Sequence, residues 1–213
     1  MKTIRTSLII SLMMTATIIT AQDIQPVKLN APDMSKGTTI MKAFSMRSSV
    51  TDVSDQRVSL QDLSDLLYAA DGINRPESGK RTAPSAMNSQ DIDIYVFLPE
   101  GVYLYDPKAN ILNPVLAGNH LGIIRGRGFD NASLFLLLVS DISRFRAGDE
   151  TARLGWSYMD GGIVSENIAL FCAGAGLATR PRASMPTEEL TRLLKLSSSQ
   201  RLVLNHPVGY PIK

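Results

Sequence analysis

Apolar residues fall at two spacings along this chain, and the switches between them predict its elements. Between Thr38 and Phe44, Ile40, Met41 and Phe44 share one helical face, and Arg47-Ser48-Ser49 follows at its end. A better signed helix starts after Ser59, which has Asp62 three residues on. Its buried stripe is Leu60, Leu63, Leu67 and Ala70, and Gly72 ends it. Turn formers and polar residues fill 74–90. At Ile92–Leu98 the period becomes two: Ile92, Ile94, Val96 and Leu98 alternate with Asp93, Tyr95 and Phe97. Pro99-Glu100-Gly101 then turns the chain into a second strand, Val102–Tyr105. Leu112–Arg127 is expected to be helical, although Pro114 and several glycines blur its period. Ser133–Val139 is nearly all apolar, as a strand buried on both faces would be. Gly162–Leu177 predicts a central helix with Val164, Ile168, Phe171 and Ala175 in one stripe, Gly174 and Gly176 permitting close packing. Thr187 is placed as the cap of a further helix, with Glu188 and Glu189 in its first turn where the helix dipole favours them. Arg201–Leu204 is the last strand, before His206–Tyr210 and a short tail. The alternation predicts an α+β or α/β domain, one sheet with helices around it.

The N-terminus breaks this pattern. Lys2 and Arg5 precede an uncharged stretch, Ser7–Thr20, and the small Ala21 ends it before Gln22-Asp23. That order predicts a secretory signal peptide at 1–21, cleaved after Ala21, with the mature protein exported, to the periplasm in a two-membrane cell. The apolar run is short for a bilayer span, which takes ~20 residues, and no Cys at the cleavage point supports a lipid anchor. An arm at 22–37 carries two prolines and no periodicity, and 38–213 is then the folded domain. The 213 residues are 44% hydrophobic and 20% charged, with a formal net charge of +2. This is globular composition, and it offers no basic surface for nucleic acid. The one cysteine, Cys172, lies in an apolar helical pattern and reads as a small core residue.

Several kinds of site are excluded by residue type alone. His120, His206 and Cys172 have no metal-ligand spacing, and no G-x-S-x-G elbow supports a serine nucleophile. Arg125-Gly126-Arg127-Gly128-Phe129 fits a turn after a helix better than a nucleotide loop. Two segments remain. Arg47-Ser48-Ser49 places a guanidinium beside two hydroxyls, a donor set suited to phosphate, though Arg-Ser-Ser is also common in solvated loops. Pro84-Ser85-Ala86-Met87-Asn88-Ser89-Gln90 packs hydroxyl and amide groups just before a hydrophobic strand, where they could meet a polar heterocycle or simply face water.

Taken in order, these segments resemble the nitroreductase family of FMN-dependent oxidoreductases. The carriers are Met46-Arg47-Ser48-Ser49-Val50 after the first helix, the Pro84–Gln90 loop, Gly162–Leu177 with Asn167 and Gly176-Leu177, the turn Arg180-Pro181-Arg182-Ala183-Ser184, and the closing Val208-Gly209-Tyr210-Pro211. Tyr103-Leu104-Tyr105-Asp106-Pro107, Leu112, Pro114 and Asp160-Gly161-Gly162 look like its SagB-type dehydrogenase branch. The resemblance implies a central mixed sheet wrapped by helices and an intertwined homodimer with FMN at the subunit interface. It also implies that Arg47, Ser48 and Ser49 hold the phosphate and ribityl end. Pro84, Ser85, Ala86, Asn88 and Gln90 would approach from the partner subunit. Arg182, Ala183 and Ser184 would border the ring, and Lys213 is a candidate second phosphate ligand. Ala183-Ser184 replaces a Glu-Gly pair common in the family, so hydrogen bonding there would fall to backbone or Ser184. The implied activity is hydride transfer from NADH or NADPH through the flavin to a nitro-, quinone- or azoline-type substrate, with no general acid or base from the protein. An exported protein lies away from cytoplasmic nicotinamides, so another electron donor, or a non-catalytic flavin- or ligand-binding role, stands as the alternative.

Overall fold

The computed structural model describes residues 24–126 and 128–212; the expected signal peptide, Arg127 and Lys213 lie outside them. Strand β1 (Val27–Lys28) opens the arm, followed by helices α1 (Ile40–Met46) and α2 (Leu60–Asp71). A small hairpin, β2 (Ile73–Arg75) and β3 (Lys80–Arg81), leads to a 3-10 turn at Ala86–Asn88. Then come β4 (Ile92–Leu98), β5 (Gly101–Asp106), β6 (Ile111–Ala117) and α3 (Leu121–Arg125). They are followed by β7 (Leu134–Asp141), α4 (Glu150–Ala175), β8 (Ala178–Thr179), α5 (Thr187–Leu194) and β9 (Gln200–Gly209). Seven strands form one sheet in the order β1-β6-β5-β4-β7-β9-β8. Every pairing in it is antiparallel, so the expected α+β architecture holds but the sheet is not mixed among the described residues.

The side-chain alternation of β4 and β7 builds the core on both sides of this sheet. Ile92, Ile94, Val96, Leu134, Leu136 and Leu138 face α2 and α4. Tyr95, Phe97, Phe135, Leu137 and Val139 face α3 and α5. With both faces covered, β7 reads as an unbroken apolar run, the pattern expected of it.

Helix α2 starts and stops where its signals lie. Ser59 Oγ accepts from Asp62 N at 3.0 Å and donates to Asp62 Oδ2 at 2.7 Å, and Gly72 closes the last turn. Four expectations need correction. The first half of Leu112–Arg127 is strand: β6 pairs with β5 on one side and β1 on the other. Pro114 is tolerated because the register shifts between Val102 and Tyr103, a bulge that needs no donor from it. The central helix starts at Glu150, twelve residues before the expected Gly162, because Asp149 caps Ala152 N at 2.9 Å. Its first half was hidden by glycines and by the exposed Tyr158 and Met159. Gly161 lets α4 approach β9, since a Cβ there would lie 2.5 Å from Val203 Cγ1; Gly176, at φ 77°, ends the helix in the left-handed conformation. Thr187 is the first residue of α5 and not its cap, a position that Pro186 occupies. Finally, β9 runs through His206 to Gly209, beyond the expected Leu204.

Candidate functional site

Arg47 is the C-cap of α1, and the segment after it runs beside the C-terminal end of α4. Val50 N donates to Thr179 O at 3.3 Å, and Ser48 and Val50 line a cavity of about 220 Å³ with Cys172, Leu177 and Thr179. Arg47, Ser48 and Ser49 are exposed. Among the described residues, no side-chain hydrogen bond or ion pair engages them. Their donors are therefore open to a ligand, as a phosphate-binding role requires.

Thr179 leads directly into Arg180–Ser184. Exposed Arg180, Pro181, Ala183 and Ser184 line a cavity of about 600 Å³ with Gly126 and Phe129, wide enough for a planar heterocycle. The structure brings this turn and the Arg47–Val50 segment together on one protomer. Arg182, expected to border a cofactor, points the other way. Its Nε and Nη2 donate to Asn205 Oδ1 at 2.8 and 2.6 Å, and Nη1 and Nη2 donate to Arg125 O at 2.6 Å and Ile124 O at 2.9 Å, the terminal carbonyls of α3. Its guanidinium carbon lies 5.5 Å from the ring centroids of both Phe129 and Phe135. Arg182 builds the wall of the cavity from behind, and most of its side-chain donors are already engaged within the fold. Asn205 completes the brace: Nδ2 donates to Arg182 O and Ser184 O at 3.1 and 3.3 Å. Sequence reasoning missed Asn205, whose signal is an amide on the fully buried face of a strand.

Pro84–Gln90 lies elsewhere. Ala86 N donates to Asp160 Oδ2 at 2.9 Å, Gln90 N to Ser85 Oγ at 2.8 Å and Gln90 Nε2 to Gly79 O at 2.9 Å. Met87, Asn88 and Gln90 all have left-handed backbone, with φ of 55°, 53° and 49°. Asn88 is exposed and Pro84 with it, whereas Ser85, Ala86 and Gln90 are half-buried and serve the loop's own structure. The C-terminal half of α4 separates this loop from the Arg47 segment. Asp160, near the middle of the helix, holds the loop, while Gly174, near its C-terminal end, packs against Ala43 of α1. A helix rise of about 1.5 Å per residue sets those positions roughly 20 Å apart. One protomer thus does not unite the two donor segments.

The outer face of α1 is apolar. On α1, Ile40 is 60%, Met41 73% and Phe44 53% exposed, and only Ala43 is buried. The expected stripe exists, but it points away from this protomer's core.

Other polar residues are structural. His206 is fully buried between Ser165 Oγ at 2.9 Å and Thr179 Oγ1 at 3.2 Å; burial, then the charge of Arg182, pulls it down to about 3. Burial pushes the Cys172 thiol up, so it stays an inert core residue as expected. Asn167 Nδ2 ties α4 to α2 through Ala70 O at 3.1 Å. No cluster of His, Cys, Asp and Glu able to hold a metal occurs among the described residues. Nor is any described helix long and apolar enough to cross a membrane.

Comparison with known proteins agrees with this geometry. The family model described as the nitroreductase family matches residues 44–210. A crystal structure of a candidate nitroreductase from Ralstonia eutropha is 31% identical, covers 88% of this chain and 90% of its own, and superposes with a TM-score of 0.80. The Escherichia coli microcin synthetase McbBCD complex, with truncated pro-MccB17 bound, contains a chain that is 18% identical with a TM-score of 0.69, over 79% of this chain and 70% of that one. A candidate NAD(P)H:FMN oxidoreductase from Staphylococcus epidermidis, 12% identical, gives 0.61 over 84% and 89%. The last two show the fold alone, and no curated protein matches. The match over most of the chain places it plainly: this chain belongs to the nitroreductase family of oxidoreductases.

Proposed function

We propose that the protein is an FMN-dependent oxidoreductase working as a homodimer, with each flavin site shared between protomers. The observation that carries this reading is the separation of the two donor segments along α4, one held near its middle and the other beside its C-terminal end, together with the uncovered apolar face of α1. A second protomer laid on that face would cover Ile40, Met41 and Phe44 and bring a partner loop toward the open donors. Arg47, Ser48 and Ser49 would hold the phosphate and ribityl end, the exposed backbone and hydroxyl of Ala183-Ser184 would face the ring, and Pro84 and Asn88 would come from the partner. The residues fit the cofactor: uncommitted donors stand at the phosphate end, and a cavity of about 600 Å³ opens beside an exposed turn. Bound FMN would supply the redox chemistry, the transfer of hydride from an electron donor to a second substrate. The chain's own part is to fix the ring, to offer Ser184 and backbone N–H groups to it, and to keep one face open. Arg182 serves this by bracing the turn from behind.

Within the family we place the chain nearest the SagB-type branch, on the Tyr103–Pro107 and Asp160–Gly162 segments and the fold shared with a chain of the microcin synthetase complex. A nitro-, quinone- or azoline-type acceptor follows from that placement. The leader at 1–21 supports export to the periplasm, where a donor other than a nicotinamide would serve.

The purified protein should be yellow and release FMN on denaturation. Anaerobic titration with NADH and with NADPH then separates the donors: bleaching identifies a nicotinamide-linked enzyme, and FMN that neither bleaches requires another reductant. A colourless protein that takes up no added FMN would sink the flavoenzyme reading in favour of a ligand-binding role on the same fold.

A further inference from the structure

Beneath the Pro84–Gln90 loop lies a group of acids for which hydride transfer has no use. Asp91 is fully buried. Its Oδ2 accepts from Ser140 Oγ at 2.5 Å, while Oδ1 is buried without a donor. The carboxyl of Asp160 borders the same small cavity as Asp91, and Asp160 Oδ2 accepts from Ala86 N at 2.9 Å. Ser85, Gln90, Asp91 and Asp160 surround a cavity of about 10 Å³, the minimum for one water. Two carboxyls this close cannot both ionise without a large repulsion, whereas one proton between them makes a strong hydrogen bond. Directly above, the loop holds three non-glycine residues in left-handed backbone, a conformation that persists only where the surroundings impose it.

We propose that Asp91 and Asp160 share one proton and act together as the positioning clasp of the Ser85–Gln90 loop, so that loss of this proton loosens the loop. Asp160 is the anchor: it reaches across from α4 to the backbone of Ala86. Asp91 holds Asp160 in place, and Ser140 on β7 holds Asp91. The charged groups around the pair come from every neighbouring element. Asp71 at the end of α2 is paired with Arg81 of β3, Asp93 of β4 is paired with Arg144 after β7, and Tyr105 of β5 stands near Asp71. Arg144 also donates to Gln90 O at 2.9 Å, so one guanidinium already bonds the loop's last carbonyl. Neither arginine forms an ion pair with Asp91 or Asp160, which leaves the pair dependent on its proton. Burial, with Asp160 beside it, raises Asp91 to about 7, so the transition falls near neutral pH. That the loop faces a flavin rests on the proposed function; the clasp itself does not.

The test is hydrogen–deuterium exchange of residues 85–90 in the purified protein, corrected for intrinsic rate, from about pH 5.5 to 8.5, with FMN affinity measured over the same range. Wild type should lose protection roughly tenfold through neutral pH, the ratio expected for losing one charge-assisted hydrogen bond, and the FMN Kd should rise in parallel. Asp160→Asn should abolish the pH dependence and keep the low-pH protection, because an amide accepts from Ala86 and donates to Asp91 without a titrating proton. Asp160→Ala should leave the loop unprotected at every pH. Wild-type protection that does not change with pH, or an Asp160→Asn protein that titrates like wild type, overturns the clasp. Protection that titrates in a protein binding no FMN at any pH supports the clasp and removes the flavin reading of the loop.

Discussion

Arg182 and Arg47 stand at the edge of the same candidate site with opposite duties, and a substitution at each should separate them. Arg182 spends its donors on Asn205 and on the last two carbonyls of α3, and its guanidinium lies between Phe129 and Phe135. Arg182→Ala leaves Asn205 Oδ1 without its donor and opens a gap between two buried rings. The expected loss is on the order of 2–4 kcal/mol, read from the urea midpoint at unchanged slope. The Arg47 side chain bonds no other described residue, so Arg47→Ala should leave stability within about 0.5 kcal/mol of wild type. Its effect belongs to the ligand: the FMN Kd should rise roughly tenfold or more, the worth of a charge-assisted bond to phosphate. A destabilised Arg47→Ala protein with normal FMN affinity would exchange the two roles. Sequence motif alone had placed both arginines on the cofactor. What the motif could not show is where the guanidinium of Arg182 points, because its partners, Ile124, Arg125 and Asn205, are at least 23 residues away.

At the scale of elements, the signals that were legible are local ones. The Ser59–Asp62 cap, the alternation through Ile92–Leu98 and the turn at Pro99–Gly101 each specify their element within a few residues, and all three are present. Missed elements depended on distant partners. β6 is a strand because β5 and β1 flank it, despite its Pro114, and the first half of α4 takes its burial from Ser157, Asp160 and Gly161, polar or small residues with no apolar period. Asp160 entered the sequence reading only through the Asp160-Gly161-Gly162 segment of the family resemblance, and nothing local marked it as an anchor for the Pro84–Gln90 loop. Helix α1 is the reverse case: its shared apolar face was legible, but what covers that face was not. Ile40, Met41 and Phe44 remain exposed on one protomer, and fully burying such side chains is worth about 1.5–3 kcal/mol each. Phe44→Glu should therefore leave the fold intact, shift the protein from dimer to monomer in sedimentation velocity, and weaken FMN binding with it. A Phe44→Glu protein that stays dimeric would place the interface elsewhere.

For the whole molecule, its buried ionisable groups set opposing dependences of stability on pH. His206, held down to about 3 against an ordinary value of 6.5, binds its proton only in the unfolded chain between those values. Its contribution is complete above about pH 6.5 and is lost as the pH falls toward 3. Asp71 and Asp91 behave oppositely. Burial raises each to about 7 from 3.8, against the pull of Arg81 on Asp71 and of the Ser140 hydroxyl on Asp91. Each holds a proton in the folded state that the unfolded chain has released, so their contribution is present below about pH 4 and is lost as the pH rises to 7. Asp62 adds nothing within this window: burial raises it, but hydrogen bonds from Lys36, Tyr210 and Ser59 outweigh that and hold it below its ordinary value, so its effect falls at lower pH. From about pH 4 to 6.5 the folded state thus carries two extra protons and lacks one, a net of one. Stability should then fall by about 1.4 kcal/mol per pH unit as the pH rises. Urea midpoints across that range should decline steadily for wild type. Asp91→Asn removes one of the two opposing protons and should flatten the profile, because His206 then cancels Asp71. If the wild-type midpoint instead rises from pH 4 to 6.5, the buried carboxyls are ionised in the folded protein, and Arg81 and the Ser140 hydroxyl together outweigh their burial.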